Sequence, residues 1–238
     1  MNIVAIETAT EAVGVALCTE DGVRAEVTVA GRRRHVESLA PAMEHLFDQV
    51  GLKAADLNAV AVDVGPGLFT GLRVGVSAAK GLAQALGLGV IGLTSLEILT
   101  RAAVQAGHRG LVLAVVDARR AEVFAALCDV HADGKTTVEV VAPGLFAPAD
   151  LARVLGELGP PAVLAVGGGA QRYAEVLGQV PGVTPVMDGL SFPPPSTLLN
   201  MALENLLEGI SPVDPRHVVP LYMREADARS NFAQIRRA

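Results

Sequence analysis

Residues 65 to 75 read Gly-Pro-Gly-Leu-Phe-Thr-Gly-Leu-Arg-Val-Gly, and no other stretch constrains the chain so tightly. An apolar run ending near Val64 leads in, and a small-residue stretch from Val76 to Leu88 leads out. That order is strand, glycine turn, helix. Gly65 and Gly67 reach backbone angles closed to other residues and let a ligand or another backbone come close. Pro66 stiffens the turn. The new helix starts with unpaired amide donors at the positive end of its dipole, so the turn reads as an anion site. The same glycines suit a helix pressed hard onto a sheet, and spacing alone does not choose between the two.

The 238 residues are enough for two compact lobes. The apolar fraction is 51% and aromatics only 3%, so Ala, Val, Leu and Gly must build a core of closely packed helices and sheets. No apolar run reaches the length of a membrane span, and the start shows neither a basic segment nor a cleavage signal. Cys18 and Cys128 lie far apart with no Cys-x-x-Cys, which argues against a disulfide framework or a zinc knuckle. A reduced cytoplasmic setting is expected. The net charge of -6 argues against a chain that grips nucleic acid by itself. The basic clusters Arg32 to Arg34, Arg119-Arg120 and Arg236-Arg237 read most simply as solvated loops or tail.

Along the chain, strands are expected at 1–9, 12–17 and 23–29, then a helix over 35–50. A buried strand over 59–64, a helix over 70–86, a short strand at 90–92 and a helix over 95–106 complete a first unit. The pattern restarts with strands at 111–117, 122–129 and 137–141, a helix over 148–157 and a strand at 162–166. Gly167-Gly168-Gly169 then opens a helix through Leu177, and Ser196 caps a last helix through Leu207. Two similar α/β lobes meeting at a cleft follow, residues 1–103 and 104–238, with the final helix free to pack back on the first lobe.

Ile6-Glu7-Thr8-Ala9-Thr10, the run from Asp63 to Gly75 and Ala79-Lys80-Gly81-Leu82-Ala83 resemble the TsaB (YeaZ) family. Val116 to Phe124 and Pro220-Leu221-Tyr222-Met223-Arg224 extend the resemblance over nearly the whole chain. It implies an actin-like ATPase fold (the ASKHA, RNase H-like class) with two duplicated lobes. It also implies a part in making threonylcarbamoyladenosine on ANN-decoding tRNAs, as scaffold for the catalytic paralogue TsaD with the ATPase TsaE joining them. On that reading tRNA is met only through the complex, and the chain alone forms a homodimer. The catalytic paralogue carries two metal-binding histidines four apart after the glycine turn and its helix. Here Ser95 and Leu99 take those positions, and none of the five histidines has that spacing. No metal site and no catalytic residue are expected.

Asp63 and Asp117 each end a strand, where an actin-like kinase keeps a working carboxylate, but Arg119 and Arg120 make an ion pair with Asp117 an equal reading. A small actin-like kinase is therefore the alternative, and a metallopeptidase of this superfamily a weaker one that needs ligands not found. Thr8 and Thr10 offer hydroxyls to phosphate, and Gly65, Gly67 and Gly167 to Gly169 offer backbone to a nucleotide. ATP or ADP in the cleft, or at the interface of the assembled complex, stands against a cleft filled by side chains. For the helix over 35–50, the expected buried stripe is Val36, Leu39, Ala40, Met43, Phe47 and Val50, widened by Ala42 and Leu46. With the small-residue ridge Gly71, Gly75 and Ala79, this width suggests a partner surface built on Leu39, Met43, Leu46 and Phe47.

Overall fold

The computed structural model describes residues 1–22, 24–31, 35–185 and 189–224. Val23 and the basic clusters 32–34 and 236–237 lie outside the described residues. The chain opens with β1 (Ile3–Glu7), β2 (Ala12–Cys18), β3 (Arg24–Ala30), α1 (His35–Val50), β4 (Ala59–Gly65), α2 (Phe69–Leu86), β5 (Val90–Thr94) and α3 (Ser95–Gln105). It continues with β6 (Gly110–Arg119), β7 (Glu122–Val130), β8 (Thr137–Phe146), α4 (Pro148–Leu158) and β9 (Val163–Val166). α5 (Gly168–Arg172), α6 (Ala174–Leu177), β10 (Val183–Pro185) and α7 (Pro195–Leu207) follow.

The first sheet has the order β3-β2-β1-β4-β5, and the second β10-β9-β6-β7-β8. In the first, β1 pairs antiparallel with β2 and parallel with β4; in the second, β6 pairs antiparallel with β7 and parallel with β9. Strand for strand the second unit repeats the first. This is the duplicated α/β architecture of the actin-like ATPases.

Every residue of β1 and β2 is buried. Strands so continuously apolar need cover on both faces. On one face Val4, Ile6, Val15 and Val62 meet Leu39 and Leu46 of α1 and Val76 and Ala79 of α2. On the other, Ile3, Ala5, Ala16 and Ala61 meet Leu198, Leu199 and Ala202 of α7. So α7, which follows the second sheet in sequence, covers the first. In return α3 lays Leu96, Leu99 and Ala103 on Val112, Ala114, Val116 and Phe124 of the second sheet. Each sheet thus depends on a helix that follows the other, and parting them would strip apolar faces at about 1.5–3 kcal/mol per large side chain.

Several local expectations change. The third strand of the second sheet runs on to Phe146, through Pro143 and Gly144, because an edge strand needs no ladder donor on its outer side. The short strand β10 was not foreseen. The expected helix through Leu177 breaks at Tyr173, whose φ of -112° leaves the helical region. Ser196 is not a cap: α7 starts at Pro195, and the Ser196 N–H is taken at 3.1 Å by the Glu26 carboxylate of β3. The face of α1 is also rotated. Leu39, Ala42 and Leu46 turn into the core, whereas Val36 is 71% exposed and Ala40 faces solvent.

Candidate functional site

The cleft between the sheets is walled by the turns that leave β1, β4, β6 and β9. On the first wall, parallel pairing sets Ile6 opposite Val62, so the next residues, Glu7 and Asp63, lie side by side. Glu7 is 1% exposed and Asp63 fully buried. Two carboxyls buried side by side repel when both are charged, which favours the protonated form of one of them. The Ser95 hydroxyl at the start of α3 donates to Asp63 at 2.8 Å, the Gly65 N–H donates to it at 2.7 Å, and the Ala9 N–H donates to Glu7 at 3.1 Å. Burial pushes Asp63 up to about 6; burial and the neighbouring Asp63 charge hold Glu7 well above the usual carboxylate range. Leu99, at the other expected histidine position, is a fully buried core residue. Among the described residues, no cluster of three or more His, Cys, Asp or Glu side chains could hold a metal ion.

Thr8 is fully buried, and its hydroxyl donates to the Gly71 carbonyl at 2.8 Å. A Cβ on Gly71 would overlap the Thr8 carbonyl, one on Gly75 the Thr8 hydroxyl, and one on Gly67 the Ala9 carbonyl. The Leu68 N–H donates to that same Ala9 carbonyl at 2.7 Å. The glycines of the opening motif therefore let α2 and its turn close onto the β1–β2 turn. Gly65, at φ 105°, packs against Leu72 and the Leu221 carbonyl. The small-residue ridge has the same use: Gly71, Gly75 and Ala79 face their own sheet, as Leu39 and Leu46 do. Of the residues expected at a partner surface, Met43 and Phe47 alone keep part of their area in solvent.

The second wall is ionic. Arg119, Arg120 and Ala121 all have left-handed φ, 64°, 55° and 57°, a strained path for residues with a Cβ. The Arg119 N–H and guanidinium donate to Asp117 at 2.9 and 3.1 Å, and Arg172 of α5 lies 3.3 Å from the same carboxylate. Arg119 also crosses the cleft to pair with Glu11 of the first lobe. Gly167, at φ 99°, and Gly169 both sit where a Cβ would strike Val115 of β6. Gly168, Thr10 and Asp117 line a cavity of about 230 Å³. That is below the roughly 300–1,000 Å³ usual for small-molecule sites. Thr8 has spent its hydroxyl on Gly71, Gly67 is closed by Ala9, and the Glu11–Arg119 pair spans the gap beside this cavity.

Beyond that bridge the cleft widens into a cavity of about 1090 Å³, lined by His35, Glu37, Phe69, Thr70, Arg119 and Arg172 among others. The His35 ring nitrogen donates to the Thr10 carbonyl at 2.7 Å and fixes the start of α1 against the turn. At the rim Val36 and Phe69 are exposed, and the Arg73 guanidinium lies 3.7 Å from the Phe69 ring centroid. Arg73 also donates to the Tyr222 hydroxyl at 3.1 Å. The Leu221 N–H donates to the Val64 carbonyl at 2.7 Å, and Arg224 pairs with Glu122 of the second lobe, so residues 221–224 strap the lobes together. The sequence reading missed Glu11, His35, Arg172 and this stack. Phe69 and Tyr222 lie too far apart in the chain for any local sequence signal to pair them.

A family model described as "TsaD: tRNA N6-adenosine threonylcarbamoyltransferase" matches residues 22–185. The tRNA threonylcarbamoyladenosine biosynthesis protein TsaB of Escherichia coli is 32% identical, over 94% of this chain and 95% of that protein. The protein of the same name in Bacillus subtilis is 30% identical over 98% and 99%. The solved structure "YeaZ from Pseudomonas aeruginosa" superposes with a TM-score of 0.78 at 28% identity, covering 93% of this chain and 99% of that one. With the duplicated lobes and the motif from Gly65 to Gly75 in place, the chain belongs to the TsaB (YeaZ) family.

Proposed function

We propose that this chain is a non-catalytic partner of a TsaD-like paralogue in forming N6-threonylcarbamoyladenosine at adenosine 37 of ANN-decoding tRNAs. The observation that carries the reading is the fate of Ser95 and Leu99. One is bonded to Asp63 in the protein interior and the other is core, at the positions where the resemblance puts metal-binding histidines. A kinase reading needs a carboxylate open to substrate, but Asp63 is buried and Asp117 is held by two arginines. A TsaE-like ATPase joins the pair, and tRNA is met through the complex. ATP or ADP belongs to the assembled interface rather than to the glycine turns of this chain. Work in the cytoplasm is part of the same reading, and no described helix is long and apolar enough to cross a membrane.

The partner surface is the outer seam of α1 and α2 beside the wide cavity: Val36, Met43 and Phe47 with Phe69 and Val74. These side chains are exposed or half-buried while their neighbours form the core. The chain alone covers this seam with a second copy. The test is tRNA modification with the chain alone and then with the paralogue and ATPase added. Product is expected from the full set alone; product from the isolated, metal-loaded chain would overturn the reading.

A further inference from the structure

Arg73 differs from most arginines of the chain in having no acid to pair with. Arg101, Arg119, Arg153, Arg172, Arg216 and Arg224 each meet a carboxylate of their own chain. From Phe69 to Leu86, α2 carries no Asp or Glu, and no acidic side chain among the described residues pairs with Arg73 from another element.

The guanidinium is nonetheless held in place. It lies 3.7 Å from the Phe69 ring centroid and 6.0 Å from that of Tyr222, and its Nε–H donates to the Tyr222 hydroxyl at 3.1 Å. The rings themselves are 5.3 Å apart. Tyr222 is fixed by its neighbours: the Leu221 N–H bonds to the Val64 carbonyl, and Arg224 pairs with Glu122. Both rings and the guanidinium are exposed, and no acceptor among the described residues takes the Nη hydrogens.

A surface arginine ordinarily loses rotamer freedom when it binds; this one has lost it beforehand. Stacking covers a face of the guanidinium, and Tyr222 occupies Nε. What remains is the Nη end of the fork, the part that grips a carboxylate through charge-assisted hydrogen bonds. Around it the surface is apolar, with Phe69 exposed and Val74 half-buried. The arginines of the adjoining cavity, Arg119 and Arg172, are already matched by Glu11 and Asp117. One unmatched charge among apolar and aromatic side chains suits a protein surface better than a run of phosphates.

We propose that Arg73, braced by Phe69 and Tyr222, is a preformed receptor for one acidic side chain of the partner that docks on the seam of α1 and α2. This rests on the seam reading given above and adds what the partner must bring: an Asp or Glu beside its apolar docking face.

Sedimentation or titration of the TsaD-like paralogue against variants of the full chain tests it. Arg73→Gln should weaken the complex by about 30-fold or more, mainly through faster dissociation. Arg73→Lys keeps the charge without the planar fork and should bind within about threefold of Arg73→Gln. Tyr222→Phe keeps the ring, removes the brace and should weaken the complex by about three- to tenfold. The isolated variants should melt like the wild type, since these side chains lie at the surface. Val36→Lys, a charge set elsewhere on the seam, separates the receptor from the seam itself. If Val36→Lys disrupts the complex while Arg73→Gln binds like the wild type, the seam stands and the receptor falls. If neither disrupts it, both fall. An Arg73→Gln complex that stays intact but loses tRNA would give the guanidinium to a phosphate and overturn the proposal as well.

Discussion

The two walls of the cleft come from the same strand order, and they manage their carboxylates in opposite ways. In the first lobe Glu7 and Asp63 are dry, uncompensated by cations and pushed above the usual carboxylate range by burial. In the second, Asp117 at the end of the equivalent strand keeps a side chain 16% exposed and is met by Arg119 and Arg172. The difference lies in the turn that leaves each strand. After β1 the turn Thr8-Ala9-Thr10 is pressed under the glycine turn and α2, which excludes water. After β6 the turn Arg119-Arg120-Ala121 stands up into the cleft and brings its own cations. A duplicated fold thus keeps its backbone plan while one copy becomes a packed joint and the other a charged, half-open latch.

The contrast is most easily broken at the glycines. Gly71→Ala puts a Cβ onto the Thr8 carbonyl, where neither backbone can yield, and should cost about 3 kcal/mol or more in a denaturant titration. Gly168→Ala meets the Ser191 carbonyl at 3.2 Å and should cost less than about 1 kcal/mol. Similar losses at both sites would mean that Gly168 is as closely packed as Gly167 and Gly169 beside it.

The carboxylates sharpen the comparison through pH. Asp63 rises from 3.8 to about 6, so Asp63→Asn should gain on the wild type by on the order of 3 kcal/mol as pH passes upward through that interval. Asp117→Asn leaves partly solvated arginines behind and should lose no more than about 1 kcal/mol at neutral pH. Melts of both variants at acid and alkaline pH check the opposite signs.

Smaller still is the effect at the idle glycine of the first lobe. Gly81 lies exposed within α2, and a Cβ added there would meet nothing within 4 Å, so Gly81→Ala should stabilise by about 0.5–1 kcal/mol. A loss there would show that the outer face of α2 needs its glycine.

The fold was largely legible because its signals are local. Strand-turn-helix at Gly65 to Gly75, the restart near Leu111 and the length of α1 can each be read within a short window. The features that escaped needed the third dimension. Apolar residues lie on most sides of α1, so periodicity alone could not say whether Leu39 and Leu46 or Val36 and Ala40 faced the core. Packing against β2 and β3 settled it. The acid pair joins positions 7 and 63, and the latch joins 11 and 119, contacts that no spacing within the sequence encodes. The glycines were found for the right reason, close approach, but the group that approaches them is the protein's own backbone.

The central claim is that the first lobe works by binding a partner at the seam of α1 and α2, and Phe69 is the place to press it. Its side chain is 53% exposed beside Arg73, outside both the acid pair and the latch. Phe69→Glu should leave the melt of the isolated chain nearly unchanged, since it removes little core area. In sedimentation with the TsaD-like paralogue, the account predicts that the variant loses the complex and, with it, tRNA modification. A complex of unchanged affinity, formed by a variant with an unchanged melt, would contradict it.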